Sequence, residues 1–423
     1  MSQRARLGKN TLWLLVARFG TQGLMVVFTI LIARRLGEVG LGEYAFMASA
    51  IFFANVLTTF GTDMLLIREV AAGGGLTQLP AALLVQLLLS VVLVVLTVLG
   101  APTLPSQSSD AILALQIYSL ALFPLAFYTV FTAALRGKER MDWYTLLNLV
   151  VSLLQLMAVG LFVWPGGSVV TIALLLFVIQ LIAALLAGVI CLLYIPNFLE
   201  AWRFSNLALP ALLRASAPIA LLGLLGMLYQ KLSIYMLSTL SGAALTGWFS
   251  AALRIVEASK TGHLALFGAL YPAMAQAQLT GAEKTRWGNV FALSWKLLLA
   301  VAVVAALVMF FLALPLVRLL YGSGFEPAVE ALKILAWLII PYTISAYLSL
   351  AFLAAGRERG VAQALLAGVI TLALLNAWWI PRAGLVGACW AALLAEIVQA
   401  GFLIFQQWAP LKFSLVKKSE RIS

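Results

Sequence analysis

The sequence has few of the side chains on which catalytic and metal centres depend. It contains one histidine, two cysteines and 15 acidic residues among 423. An enzyme usually gathers carboxylates or histidines within hydrogen-bond reach of one another, whereas these residues are scattered over the whole chain. The cysteines, Cys191 and Cys389, lie in apolar runs without metal-site or disulfide spacing and are predicted to be core residues. We therefore expect a protein that is not an enzyme, with no metal and no organic cofactor.

Charged residues are scarce as well. They make up 10% of the chain and hydrophobic residues 64%, whereas about a quarter of an ordinary soluble domain is charged. No water-soluble fold can bury so much apolar surface. Segments of about 20 apolar residues cross a bilayer as helices, because a helix satisfies its own backbone in lipid.

Glycine, proline and charge clusters divide the apolar sequence into twelve predicted spans with short connections. A retained first helix, and not a signal peptide, is expected at the N-terminus, because the first apolar stretch lacks a cleavage site. The spans lie near residues 10–35, 43–67, 79–100, 110–135, 142–164, 168–195, 212–239, 243–273, 287–314, 327–355, 361–380 and 384–408.

Basic residues favour one side of the predicted membrane. About 17 fall in connections on that side and about 4 on the other, and the positive-inside rule assigns the richer side to the cytoplasm. Both termini are therefore predicted to be cytoplasmic, in a multi-pass protein of the cytoplasmic (inner) membrane. The formal charge of +12 follows this loop bias and shows no nucleic-acid-binding pattern, so no nucleic-acid partner is expected.

The two halves of the sequence resemble each other. Near the start of each half, Gly42 and Tyr44 pair with Gly247 and Phe249 at one common displacement. Later pairs have a slightly larger displacement that is nearly constant among them: Pro124 with Pro341, Pro165 with Pro381, Gln180 with Glu396, and Ala134–Arg140 with Ala354–Arg359. A duplication with small insertions explains this pattern.

A repeat of six helices gives both halves the same orientation, with a symmetry axis along the membrane normal. We therefore predict an all-α integral membrane protein of about twelve transmembrane helices in two six-helix lobes, residues 1–200 and 201–423, around a central cavity. Rocking of two such lobes exposes the cavity alternately to each side, which is typical of transporters. The stretch 197–209 is predicted to join the lobes as an amphipathic segment on the cytoplasmic surface.

Ionisable groups within spans are costly unless they face the protein interior or a wet cavity. Their excess of positive charge indicates an anionic substrate, although Lys296 and Lys333 lie near helix ends and are also suited to snorkelling. The basic set is Arg18, Lys231, Arg254, Lys260, Lys296 and Lys333, and the acidic set is Asp63, Glu257, Glu330 and Glu396.

The eighth span carries Arg254, Glu257, Lys260 and His263 at intervals of three residues, which places them on one helix face. Pairing of Glu257 with Arg254 or Lys260 leaves one basic group over, which could meet Arg18 across the lobe interface. His263 fits a packing role or, alternatively, a proton carrier.

Several short motifs are spread along the chain. They are Lys9-Asn10-Thr11, Ala33-Arg34-Arg35-Leu36-Gly37 with Gly40, Gly42 and Tyr44, Gly61-Thr62-Asp63 with Arg68-Glu69, and Tyr321-Gly322-Ser323-Gly324-Phe325-Glu326-Pro327-Ala328 followed by Ile334-Leu335-Ala336 and Pro341. Together they resemble the motifs of one family, the prokaryotic oligosaccharide flippases of the multidrug/oligosaccharidyl-lipid/polysaccharide exporter superfamily.

The resemblance implies flipping of a polyprenyl-pyrophosphate-linked oligosaccharide by alternating access. Pyrophosphate suits a cationic cavity, because arginine grips phosphate in bidentate fashion. The resemblance carries the family's cavity residues onto Arg18 and Arg254, to which we add Lys231, Lys260 and Lys296. Lipid II flippases, which the chain also resembles, have two further helices, so a peptidoglycan role is disfavoured. Expected partners are a lipid-linked anionic oligosaccharide, membrane lipid and glycan polymerase or glycosyltransferase machinery, and a monomer is expected.

Two alternative functions remain open. A cation-coupled multidrug exporter would share the fold but would be expected to have an acidic cavity. A membrane glycan polymerase or ligase would be expected to have a long external loop with Arg and His. Asp63, Glu257 and Glu396 are candidates for binding a coupling proton or sodium ion, with an ion-pair role as the alternative for each.

Overall fold

A computed structural model describes the backbone of residues 3–73, 76–202, 209–260 and 284–419. Side chains are described in these ranges except at 3–11, 201, 284–294, 354 and 408–419. The regular elements of the described residues are all helical. The α-helices are α1 (Gln3–Thr59), α2 (Thr62–Ala71), α3 (Leu79–Gly100), α4 (Ser109–Ser119), α5 (Leu122–Gly137), α6 (Met141–Phe162), α7 (Val169–Tyr194), α8 (Leu209–Ser241), α9 (243–260), α10 (Lys284–Phe311), α11 (Ala313–Tyr321), α12 (Ala328–Ala336), α13 (Ile339–Ala354) and α14 (Glu358–Ser419).

The helices match the predicted spans. Six helices in the described residues are long and apolar enough to cross a membrane, and three further helix pairs form bent spans. Two of the six contain two helices each, because α1 turns at Gly37 and α14 at Gly384, both with positive φ. The eighth predicted span begins with α9, and the structure describes this helix as far as Lys260. Each predicted span thus has a helical counterpart, and the all-α membrane fold is confirmed.

The described chain divides into two compact units, Met1–Ser250 and Ala251–Ser423. The core of the first unit includes residues of α2, α3, α5 and α7. One face of α5 is lined by the buried residues Ala126, Val130 and Ala133 at helical spacing, and such small side chains let membrane helices pack closely. Both cysteines are buried and free, as predicted. The lobe boundary at residue 200 stays a prediction.

The internal repeat is visible in the backbone at two glycines. Gly37 has φ 71° and Gly242 has φ 89°. Gly37 precedes Gly242 by as many residues as Gly42 precedes Gly247. Each ends the first helix of its half and precedes the second. A left-handed conformation costs glycine little, so the same residue type permits the same turn in both halves.

The repeat is equally clear in the two bent spans α4–α5 and α12–α13. Each bends by 42° at a break of two residues. Pro124 and Pro341 are the third residues of α5 and α13. The end of α4 and both ends of α5 precede the corresponding ends of α12 and α13 by as many residues as Pro124 precedes Pro341. A proline lacks the N–H and clashes with the carbonyl four residues earlier, so it favours a kink or a break in the helix that reaches it. These matching breaks support the predicted duplication.

The predicted amphipathic segment is described in part. A short 3-10 turn covers Leu199–Trp202. The rings of Phe198 and Trp202 lie 5.8 Å and 6.1 Å from that of Phe131, so the aromatic side of this turn packs against α5. Residues 203–208 lie outside the described residues, and the position of the segment on the cytoplasmic surface stays a prediction.

Candidate substrate and ion sites

Arg18 lies on α1 at the point where α1 packs against α6. The Thr145 hydroxyl of α6 donates to the Trp13 carbonyl at 2.9 Å. Gly20 lies against Leu149, where an added Cβ would come within 2.5 Å of a side-chain carbon. The Arg18 side chain itself is exposed. Within the described part of the chain its guanidinium forms no ion pair, so its charge is not compensated there.

Lys231 lies on α8, beside an aromatic group on the second half of α1. Its ammonium nitrogen is 6.0 Å from the ring centroid of Phe52. One turn later the ring of Tyr235 stacks on that of Phe46, with centroids 5.6 Å apart. A ring face attracts a cation but leaves its net charge in place. Like Arg18, Lys231 has no carboxylate within ion-pair distance among the described residues.

Arg254 and Glu257 form an ion pair on α9. Arg254 Nη1 lies 3.2 Å from Glu257 Oε2, and the two side chains are 18% and 28% exposed. The hydroxyl of Tyr321 donates to the Ala251 carbonyl at 3.1 Å, which fixes α11 against the same stretch of α9. The ion pair predicted as one reading of the three-residue spacing is therefore present.

Lys260, two turns from Arg254, meets side chains from two other helices. Its ammonium nitrogen lies 4.3 Å from the ring centroid of Tyr342 on α13. Glu396 on α14 is 2% exposed and accepts a 2.6 Å hydrogen bond from the Ser345 hydroxyl. The carboxylates of Glu396 and Glu257 both act electrostatically on the Lys260 ammonium. Glu396 thus acts on the basic group that sequence reasoning left over on this helix.

Lys296 on α10 is exposed and forms no ion pair with any described residue. Its neighbour Trp295 packs on Tyr347, with ring centroids 5.0 Å apart. Lys333 is also exposed, with its ammonium 5.9 Å from the ring of Phe310. Exposure suits both of the predicted readings, a substrate contact and snorkelling.

Asp63 follows a break between α1 and α2. Gly61 adopts φ 70°, and an added Cβ there would lie 2.7 Å from the Ala220 nitrogen of α8. The Thr62 hydroxyl accepts a 2.9 Å hydrogen bond from the Gln86 amide. Asp63 occupies the first turn of α2, where the helix dipole stabilises a negative charge. Its role in ion coupling stays a prediction, and His263 lies outside the described residues.

The contacts of two further polar groups were not predicted from the sequence. Glu43 is 9% exposed and accepts from the Ser108 hydroxyl, which also caps the N-terminus of α4. Arg35 donates to the carbonyls of Val159 and Val163 and so caps the C-terminus of α6. Serine before a helix is a recognisable cap signal, but in both cases the partners lie on distant parts of the sequence.

Gly42 and Gly247 form a reciprocal crossing between α1 and α9 within the unit Met1–Ser250. A Cβ on Gly42 would lie 1.8 Å from the Ala243 oxygen, and one on Gly247 would lie 1.9 Å from the Glu38 oxygen. Glu38 and Ala243 are themselves separated by the same displacement as the two glycines. The contact of Gly42 with Ala243 is therefore equivalent, by the repeat, to the contact of Gly247 with Glu38. A two-fold axis produces such a pair of equivalent contacts.

The positive charges thus fall into two groups. Arg18, Lys231, Lys296 and Lys333 form no ion pair with described carboxylates, whereas Arg254 is paired with Glu257, and Glu257 and Glu396 both act electrostatically on Lys260. Among the side chains that the structure describes, no group of three or more His, Cys, Asp or Glu residues could hold a metal ion. The charges of the first group are suited to binding an anion, whereas each cation of the second group already interacts with a carboxylate.

The fold is similar to those of several solved transporters. An inward-facing multidrug resistance MATE family transporter of the MOP superfamily matches with a TM-score of 0.74 and 17% identity over 94% of this chain and 96% of that chain. The lipid II flippase MurJ, in an inward closed conformation, matches with a TM-score of 0.75 and 14% identity over 92% and 86%. A MOP superfamily transporter from Pyrococcus furiosus matches with a TM-score of 0.66 and 16% identity over 97% and 96%.

At these identities the likeness establishes the fold. No curated protein matches the sequence. The family model described as "Polysaccharide biosynthesis protein" matches residues 7–278, which is more than half of the chain. This multi-pass membrane protein therefore belongs to the polysaccharide biosynthesis protein family.

Proposed function

We propose that the protein is a flippase that moves a polyprenyl-pyrophosphate-linked oligosaccharide across the cytoplasmic membrane by alternating access. The family match and the transporter fold support this reading. The observation that carries it is the pair of basic side chains, Arg18 and Lys231, that lie in spans without a described carboxylate partner.

A lone cation at membrane depth is costly, by about 2.5–3.5 kcal/mol at a helix centre on insertion scales. An anionic ligand that binds there offsets this cost during transport. Pyrophosphate is such a ligand, and arginine can bind two of its oxygens at once. We propose Arg18 and Arg254 as its main contacts, with Lys231, Lys260 and Lys296 as further basic residues of the site.

Arg254 can take part although it is paired. Glu257 engages one of its terminal nitrogens, while a guanidinium carries five N–H donors. We propose that Glu257 holds Arg254 in place for the phosphate. Asp63, Glu257 and Glu396 remain the candidates for coupling to an ion.

The charge of the binding site separates the rival functions that this fold supports. The Pyrococcus furiosus neighbour is described as having a binding pocket of reverse polarity that suggests a different function. A multidrug exporter for cationic drugs is expected to present carboxylates. Here the buried Glu396 accepts from Ser345 and acts on Lys260, so that it is not free to serve a drug. A transporter of an anion is therefore favoured over the exporter.

The proposal is tested by complementation of a flippase-deficient strain at matched membrane levels of protein. Wild type should restore export of lipid-linked glycan, and Arg18→Ala and Arg254→Ala should not. Arg382→Ala is the control, because Arg382 is exposed and both its hydrogen bond and its cation–π contact are with Trp378 of its own helix. Normal export by both cavity variants would show that this site is wrong. Resistance to cationic drugs without glycan export would replace the flippase with the exporter.

A further inference from the structure

The two halves differ in charge at two equivalent positions. Asn55 in the first half is equivalent to Lys260 on α9, because the two are separated by as many residues as Gly42 and Gly247. Gln180 is equivalent to Glu396 on α14, because the two are separated by as many residues as Pro165 and Pro381. The first half thus carries two neutral amides where the second carries an ammonium and a carboxylate.

The amides show that the fold does not require ions at these positions. Gln180 is 6% exposed, and both its Nε2 and Asn55 Oδ1 are buried in the same unit. Replacement of a buried ion pair by uncharged groups is often neutral or stabilising, whereas removal of one partner alone is strongly destabilising. A lysine and a glutamate kept in only one half are therefore better explained by a function than by stability.

The groups around Lys260 are those of a site for a monovalent cation. Glu396 supplies the negative charge and is held by the Ser345 hydroxyl at 2.6 Å. Tyr342 supplies a ring face at 4.3 Å from the ammonium, a distance at which cations are attracted. Glu257, which is paired with Arg254, adds a second carboxylate that acts on the lysine from the same helix. Three helices, α9, α13 and α14, contribute to this cluster.

We propose that Glu396, Ser345 and Tyr342 form a monovalent-cation site whose resident cation is the tethered ammonium of Lys260. While Lys260 occupies the site, neither sodium nor another small cation binds there. The proposal rests on the proposed function in one respect: Glu396 is among its ion-coupling candidates, and it can take up a free cation only when the Lys260 ammonium has left the site. Its test reads cation binding and not transport, so the two can fail separately.

The experiment measures the thermal unfolding midpoint of purified protein in detergent. Chloride salts of choline, sodium and methylammonium are compared at constant ionic strength, with choline as the bulky reference cation. A cation that binds only the folded state raises the midpoint in a saturable manner. The wild type should unfold at the same temperature in all three salts.

Lys260→Ala should unfold several degrees lower in choline, and methylammonium or sodium should restore the midpoint saturably. Lys296→Ala, which removes an exposed lysine from α10, should show no such response. The double variant Lys260→Asn/Glu396→Gln reproduces the amides of the first half, and it should fold without responding to cations. Lys260→Asn alone leaves Glu396 charged and should respond, which keeps the test open if Lys260→Ala does not fold.

Two results would overturn the proposal. One is the absence of a saturable cation response in both single variants at Lys260. The other is a saturable rise in the wild type with sodium, because it would show that the site accepts a metal ion while the lysine is in place. An equal response of the double variant would place the binding elsewhere and would count against the proposal as well.

Discussion

The crossing of Gly42 and Gly247 predicts a large effect from one added methyl group. In Gly42→Ala the new Cβ would lie 1.8 Å from the Ala243 oxygen, while ordinary contact begins near 3.4 Å. The two backbones would therefore have to separate by about 1.5 Å, because neither contact atom is a flexible side chain. Overpacking of this kind typically costs about 1–3 kcal/mol.

Gly23→Ala is the matched control, since Gly23 lies in the part of α1 before the turn at Gly37 and an added Cβ meets no atom within 4 Å. Alanine in a helix interior is favoured over glycine by roughly 1 kcal/mol, so this control should be neutral or slightly stabilising. Thermal unfolding in detergent should place Gly42→Ala several degrees below it. Gly42→Ala combined with Gly247→Ala should cost less than the sum of the two, because one separation relieves both contacts.

Equal unfolding temperatures for Gly42→Ala and Gly23→Ala would refute the close crossing. Additive costs in the double variant would refute its reciprocal geometry. Either result would also remove one of the observations that support the internal repeat.

Three other predictions concern capping, buried charge and topology. Arg35→Ala should lower the free energy of unfolding by about 1–3 kcal/mol, because carbonyls at the end of α6 lose their donor, while Arg382→Ala should change the unfolding midpoint little. Ser345→Ala should lower the free energy of unfolding by about 1–3 kcal/mol, because buried Glu396 loses a hydrogen-bond donor. Ser90→Ala removes a hydroxyl that is bonded mainly within its own helix and should lower the free energy of unfolding less. A membrane-impermeant maleimide applied to intact cells should label Thr103→Cys but not Lys138→Cys, and the reverse result would invert the predicted orientation; both native cysteines are buried, so background should be low.

The sequence predicted the spans well because length and apolarity alone determine whether a helix can cross a bilayer. It placed Pro124 and Pro341 inside their spans but did not predict the breaks that precede them. It also missed the break at Gly61, where the absence of a side chain allows contact with α8. Such breaks depend on neighbouring helices, which a single sequence does not reveal.

The charges within the membrane were harder to interpret. The three-residue spacing on α9 correctly suggested the pair Arg254–Glu257, since that interaction is local to one helix. The effect of Glu396 on Lys260 was not predicted, because the two residues are far apart in sequence and meet only through packing of separate helices. Glu396 was nevertheless singled out as ionisable, and its alignment with Gln180 showed that the halves differ there.

The most direct test of the account is flipping of a fluorescent polyprenyl-pyrophosphate-linked oligosaccharide in vesicles that contain the purified protein. The wild type should move the lipid well above the rate of protein-free vesicles. Arg18→Ala should reduce that rate at least roughly tenfold, as expected for the loss of a charged contact, while Arg18→Lys should retain an intermediate rate and Arg382→Ala the full rate. Flipping by Arg18→Ala at the wild-type rate, or no flipping by the wild type, would contradict the proposed cationic site for pyrophosphate.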